Sequence, residues 1–184
     1  MRASPVAIAA LTCSGAVRSI EILMTSSEQL ATYLNDHVAG STAARDLLQR
    51  SAEKAAGTAL GEFLTSLLEE IETDRSELQS IMRRLDVGER SLKQAAGSVM
   101  ERLSRFKFET FDEDGGAALN RLLELESVLM GIEGKAALWG TLKVLASTEP
   151  RIADVDFDRL GDRARKQQEA VERHRLALVP DALV

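Results

Sequence analysis

A single cysteine, Cys13, stands in the 184 residues of this chain. That excludes an intrachain disulfide framework and any cysteine-based zinc site. Histidine occurs only 2 times, which also argues against zinc catalysis. Proline is confined to 3 residues and aromatic side chains to 4%. With little proline and much Ala, Leu, Glu and Arg, the composition favours helix. Basic charge is not in excess: the formal net charge is -6, which gives no support for non-specific nucleic-acid binding. No strand-like alternation of useful length and no internal repeat occurs. No glycine-rich phosphate loop is present, since "GIEG" falls inside a helical pattern, and no strained nucleophile turn marks a Ser–His–Asp hydrolase.

What remains is ordinary for a globular domain: 45% hydrophobic and 28% charged residues, in a chain long enough for one sizeable core. Residues 1–23 read as a leader, either disordered or an upstream extension, with the protein proper starting near Met24. A basic start, an apolar run from Val6 to Leu11 and the small residues Ser14 and Ala16 give the other reading, an export signal within residues 1–16. An ordered N-terminal element is the third. The apolar run is too interrupted to span a bilayer, which takes about 20 residues. Residues 24–184 are expected to form one helical-bundle domain, cytoplasmic unless the leader exports it.

Periodicity divides that domain into helices. The first starts at Ser26 or Ser27 and runs to about Ala56, with Leu30, Leu34, His37, Ser41, Ala44 and Leu48 on one face. Gly57-Thr58 breaks it. The second covers about Ala59 to Val87 and ends at Gly88; Leu60, Leu64, Leu67, Ile71, Asp74, Leu78, Ile81 and Leu85 recur at steps of three and four, the spacing of a bundle seam. Residues 89–107 make a shorter helix with a basic end (Arg102, Arg105, Lys107), and Asp114 in "FETFDEDGG" is a candidate N-cap. A helix from Ala117 to Ser147 stops before Pro150. Its inward face is read as Leu119, Leu122, Leu123, Glu126, Leu129, Met130, Glu133, Ala137, Gly140 and Val144. Gly131, Gly134 and Gly140 point to a close helix neighbour or to room for a ligand. Asp154 caps a last helix, Val155 to Leu178. Phe157, Leu160, Ala164, Gln167 or Gln168, Val171 and Leu178 face inward there, and Arg159, Arg163, Arg165, Lys166, Arg173 and Arg175 form a basic outer side.

Residues 88–116, 29 in all, separate the second and fourth helical patterns. So long a connection lets the two helices run parallel, with the short helix crossing the bundle. In this respect the chain resembles the ferritin-like superfamily. The resemblance implies an all-α fold of four long helices with a shorter crossover helix between the second and third long helices. The run beginning "YLNDH" is also similar to bacterial proteins with no assigned activity.

Ionisable residues interrupt the apolar stripes: His37, Asp74, Glu126 and Glu133, with Glu70 one turn before Asp74. Burying an unpaired charge is costly, so they need partners. As a set they suit iron or manganese. Ferritin-like di-iron proteins, however, supply Glu-x-x-His from two of their helices, and here Leu34 precedes His37 and Val171 precedes His174 by three. The resemblance therefore implies topology without the metal motif. A polar network that fixes helix register is the simpler expectation. Lys135 and Trp139 read as a surface cation and a bundle-end anchor. The expected function is that of a non-catalytic bundle acting by self-association, as a homodimer, or by binding a protein partner; the alternative is a metal-binding bundle.

Overall fold

In a computed structural model of the protein, the structure describes residues 9–88 and 116–184, with side chains described from residue 27 onward. The described residues form α1 (Ala9–Lys54), α2 (Ala59–Arg84), α3 (Ala117–Ala146), a 3-10 turn (Pro150–Ile152) and α4 (Phe157–Leu183), with no strand among them. No described helix is long and apolar enough to cross a membrane. The expected short helix over 89–107 and the Asp114 cap lie outside the described residues.

The chain divides into two compact units, 1–34 and 35–184. In the first unit α1 begins at Ala9, well ahead of the expected start at Ser26 or Ser27. The Ala, Leu, Ile and Met residues before Thr25 are helix-compatible, and Ser side chains are tolerated mid-helix. A cap signature therefore did not mark a helix end. Everything below concerns the second unit.

Within that unit, α2 begins as its sequence requires. Thr58 Oγ1 accepts a hydrogen bond from the Gly61 N–H at 3.1 Å, satisfying one of the free donors of the first turn. Leu64, Leu67, Ile71, Asp74, Leu78 and Ile81 are all buried. The helix ends earlier than Val87. Asp86 N donates to Arg83 O (3.2 Å) and Val87 N to Met82 O (2.9 Å), the paired closing bonds of a Schellman motif. Met82 and Val87, both buried, bracket it. Asp86, with φ 57, holds the left-handed position that Gly88 was expected to occupy. Its side-chain bond among the described residues, accepted from Arg151 at 3.0 Å, is solvent-exposed. Asp86→Gly is thus expected to stabilise the protein by about 0.5–1 kcal/mol, read as a higher urea midpoint; a lower midpoint would show that the Arg151 pair outweighs the backbone term.

Pro150 opens the 3-10 turn, capped by the Glu149 side chain, and the turn buries Ile152 completely. That turn delays α4, which is capped by Asp156 (Oδ1 accepts from Arg159 N, 2.9 Å) instead of Asp154. Asp154 pairs with Arg84.

Side-chain pairs give the helix directions. Glu126–Arg175, Lys135–Gln167 and Lys143–Asp158 ascend α3 while descending α4. Phe63–His174, Asp74–Arg163 and Glu77–Arg159 do the same for α2 and α4. Both helices are therefore antiparallel to α4 and parallel to each other. Ser51 and Lys54 of α1 bond to Glu124 near the start of α3 (2.7 and 2.9 Å), and Ala44 of α1 lies beside Gly131 farther along, so α1 opposes α3.

The inward face of α3 differs from its expected one. Leu122, Leu125, Val128, Ile132, Leu138, Trp139 and Leu142 are buried, whereas Met130, Glu133, Ala137, Gly140 and Val144 are exposed. The helix is apolar over most of its circumference, so periodicity alone selected the wrong side.

Candidate functional site

Asp74 is the polar member of the α2 seam and is 2% exposed. Its two oxygens meet cations from two other helices. Oδ1 accepts from Arg163 of α4, and Oδ2 accepts from Lys135 of α3. Gln167, buried one turn beyond Arg163, completes the cluster. Its Oε1 accepts from Lys135 Nζ, while its Nε2 donates to Glu70 Oε2 (2.8 Å) and Asp74 Oδ2 (3.3 Å). Two carboxylates and two cations leave the group formally neutral. Burial pushes the Lys135 amine below its usual 10.5; the Asp74 carboxylate opposes that, and the nearby Arg163 charge adds to it.

Lys135 and Arg163 were thus read wrongly as surface cations. Arg163 sits one turn after the buried Leu160 and one turn before the buried Gln167, at the edge of the α4 stripe. Lys135 lies three residues after Ile132 and four before Trp139, on the true inward stripe of α3. Trp139, read as a bundle-end anchor, is a core residue, 1% exposed. The spacing signal for Lys135 was present; it was hidden by the incorrect face. Of the two alternatives for α4, Gln167 is the inward glutamine, and Gln168 reaches Glu133 instead.

The four expected metal ligands are not brought to one point. Glu133 is exposed, and Glu126 is half-buried at 3.4 Å from Arg175. Both lie on the side of α3 away from its buried stripe. His37 is half-buried on α1. Among the described residues, no group of three His, Cys, Asp or Glu side chains could hold a metal ion. Asp74, flanked by Lys135 and Arg163, does not fit a cationic ligand. Among the described residues these four side chains therefore do not assemble into a donor set for iron or manganese. His174 is also placed elsewhere: it stacks on Phe63 with ring centroids 4.0 Å apart, joining α4 to the first turns of α2.

His37 and Asp74 do share a pocket. It has a volume of about 250 Å³ and lies between α1, α2 and α3. Ala44, Leu48, Ile71, Leu78, Ile132 and Leu138 give it mainly apolar walls; Asp36, Arg75 and Lys135 add charge and His37 an imidazole. The glycines of α1 and α3 open it: a Cβ built at Gly40 or Gly134 would meet nothing within 4 Å, and one at Gly131 would only touch Ala44 at 3.8 Å. Of the two readings of those α3 glycines, room beside the helix describes Gly134 and Gly140 better than close packing does.

No family model matches the chain, and no curated protein or solved structure does either.

Proposed function

We propose that this is a non-catalytic bundle of ferritin-like topology that acts by pairing with a second copy of itself. The observation that carries the non-catalytic part is the saturation of Asp74 by Lys135, Arg163 and Gln167. Where a ferritin-like enzyme concentrates carboxylates around metal, this core holds a neutral ion-pair cluster. Support for the topology comes from parallel α2 and α3 joined by the long segment 85–116, with α1 and α4 opposed to α3.

The association surface in this reading is the outer face of α3. Met130 and Val144 are 47% and 73% exposed there, with exposed Ala137, Gly140 and Thr141 between them. Small residues let two helices approach closely. An antiparallel pairing about Ala137 sets Met130 of one copy against Val144 of the other. It also keeps Glu126 and Glu133 of the two copies apart, whereas a parallel pairing would stack like charges and a basic partner would leave the apolar stripe unused. A two-fold arrangement of this kind is the commonest closed assembly.

Size-exclusion chromatography with light scattering over a concentration series tests it. A dimer is expected, reduced to monomer by Ala137→Arg or Val144→Glu with unchanged helical circular dichroism. A monomer at every concentration, or a dimer indifferent to both substitutions, would overturn the reading.

A further inference from the structure

Two buried donors point to something the described residues do not supply. Arg75 Nε and Trp139 Nε1 are buried and have no hydrogen-bond partner among the described residues. Both residues line the pocket between α1, α2 and α3. A buried donor left unbonded costs about 1–3 kcal/mol, so two on the walls of one pocket call for an acceptor. Lys135 lines the same space, and its charge is directed by Asp74 and Gln167 toward the bundle interior. The acidic groups facing the pocket are Asp74, already neutralised by Lys135 and Arg163, and Asp36 on the α1 wall beside His37. The remaining walls are hydrocarbon.

We infer that this pocket binds a small organic acid, its apolar body held among Ile71, Leu78, Ile132 and Leu138 and its carboxylate accepting from Arg75 and the Trp139 indole. Size sets the class. A cavity of about 150 Å³ lined by apolar side chains holds benzene; one of about 250 Å³ has space for a ring or six-carbon chain plus a carboxylate, and is below the range of about 300–1,000 Å³ that takes drug-sized ligands. A guanidinium offers a carboxylate charge-assisted bonds, stronger than neutral ones, so the acid is preferred to its alcohol. Gly40 and Gly134 leave the walls open, which explains helical glycines at positions where a side chain would not clash.

Isothermal titration of the intact protein with benzoate and hexanoate, against benzyl alcohol and hexanol, tests the inference. Saturable one-site binding of the acids is expected, at least about tenfold tighter than the alcohols and weakened about tenfold by Arg75→Gln. Gly134→Met, which places a side chain in open space, is expected to abolish binding while the protein remains folded by circular dichroism. Acids and alcohols binding alike would overturn the carboxylate assignment. No saturable binding of either probe by the wild-type protein, or binding unchanged in Gly134→Met, would overturn the site. The two readings fail separately: titration heat reports the pocket and light scattering the dimer, and Arg75 of α2 lies off the association face, although Met130 of that face also lines the pocket.

Discussion

Asp74→Ala is expected to lower the stability of the protein by about 3–5 kcal/mol, the cost of removing one partner from a buried ion pair. The substitution takes away the acceptor of both Lys135 and Arg163, whose side chains are 13% and 22% exposed. Two like charges then face each other in the core, with Gln167 Oε1 accepting from Lys135 and the Glu70 carboxylate the remaining described counter-charge near it. Urea denaturation measures the loss; a change below about 1 kcal/mol would place the cluster in water-like surroundings. The pH dependence has a definite sign. Lys135 already binds its proton less tightly in the folded state than at the usual 10.5, and the Asp74 carboxylate is the main influence holding that proton on. In Asp74→Ala the folded-state pKa falls further while the unfolded one does not. Between those two values the unfolded chain binds more protons, so the stability of the variant climbs as pH rises through that window, more steeply than in the wild type. Replacing Asp74, Lys135 and Arg163 together by Leu, Met and Met is expected to be far milder than Asp74→Ala alone, since no buried charge is stranded.

Gly61→Ala is expected to cost about 2–4 kcal/mol, although alanine is the better helix former. A Cβ at Gly61 would lie 2.2 Å from the Ala55 carbonyl oxygen and 2.8 Å from its carbon. That oxygen already accepts from Thr58 N (3.1 Å) and Thr58 Oγ1 (2.7 Å). Its displacement therefore disturbs the residue that caps α2. The obstacle is backbone, which cannot swing aside as a flexible side chain would. At Gly134 and Gly40 the sign reverses: with nothing within 4 Å, alanine is expected to add up to about 1 kcal/mol. Chemical denaturation of the three variants checks the contrast, and a stabilising Gly61→Ala would show that the α1–α2 turn gives way freely.

Much of this architecture is legible in the pattern of residues. On α2 and α4 a narrow apolar stripe lies opposite a charged face, so periodicity locates the core and places Asp74 and one of Gln167 and Gln168 within it. The α2 start at Ala59 follows from Thr58, and the end of α3 near Ser147 from Pro150. On α3, apolar residues surround the axis, and the face bearing Met130, Ala137 and Val144 scores as well as the one bearing Ile132, Trp139 and Leu142. Choosing the first turned Glu126 and Glu133 inward and Lys135 outward, and thereby built a metal site in place of an ion pair. Burial of a lysine also needs partners that local spacing does not reveal: here the carboxylate 61 residues away and Gln167 supply them. The ends of α2 and α4 were missed for a related reason: the closing Schellman bonds and the 3-10 turn around Ile152 depend on tertiary burial of Val87 and Ile152.

The most direct measurement of the buried ion pair at the centre of the bundle is a double-mutant cycle between Asp74 and Lys135, from the urea stabilities of wild type, Asp74→Asn, Lys135→Met and the double variant. Residues in direct contact within one polar network couple by about 0.5–3 kcal/mol, and this pair is expected near the upper end. Losses that add within about 0.3–0.5 kcal/mol, as they do for distant and independent sites, would contradict it.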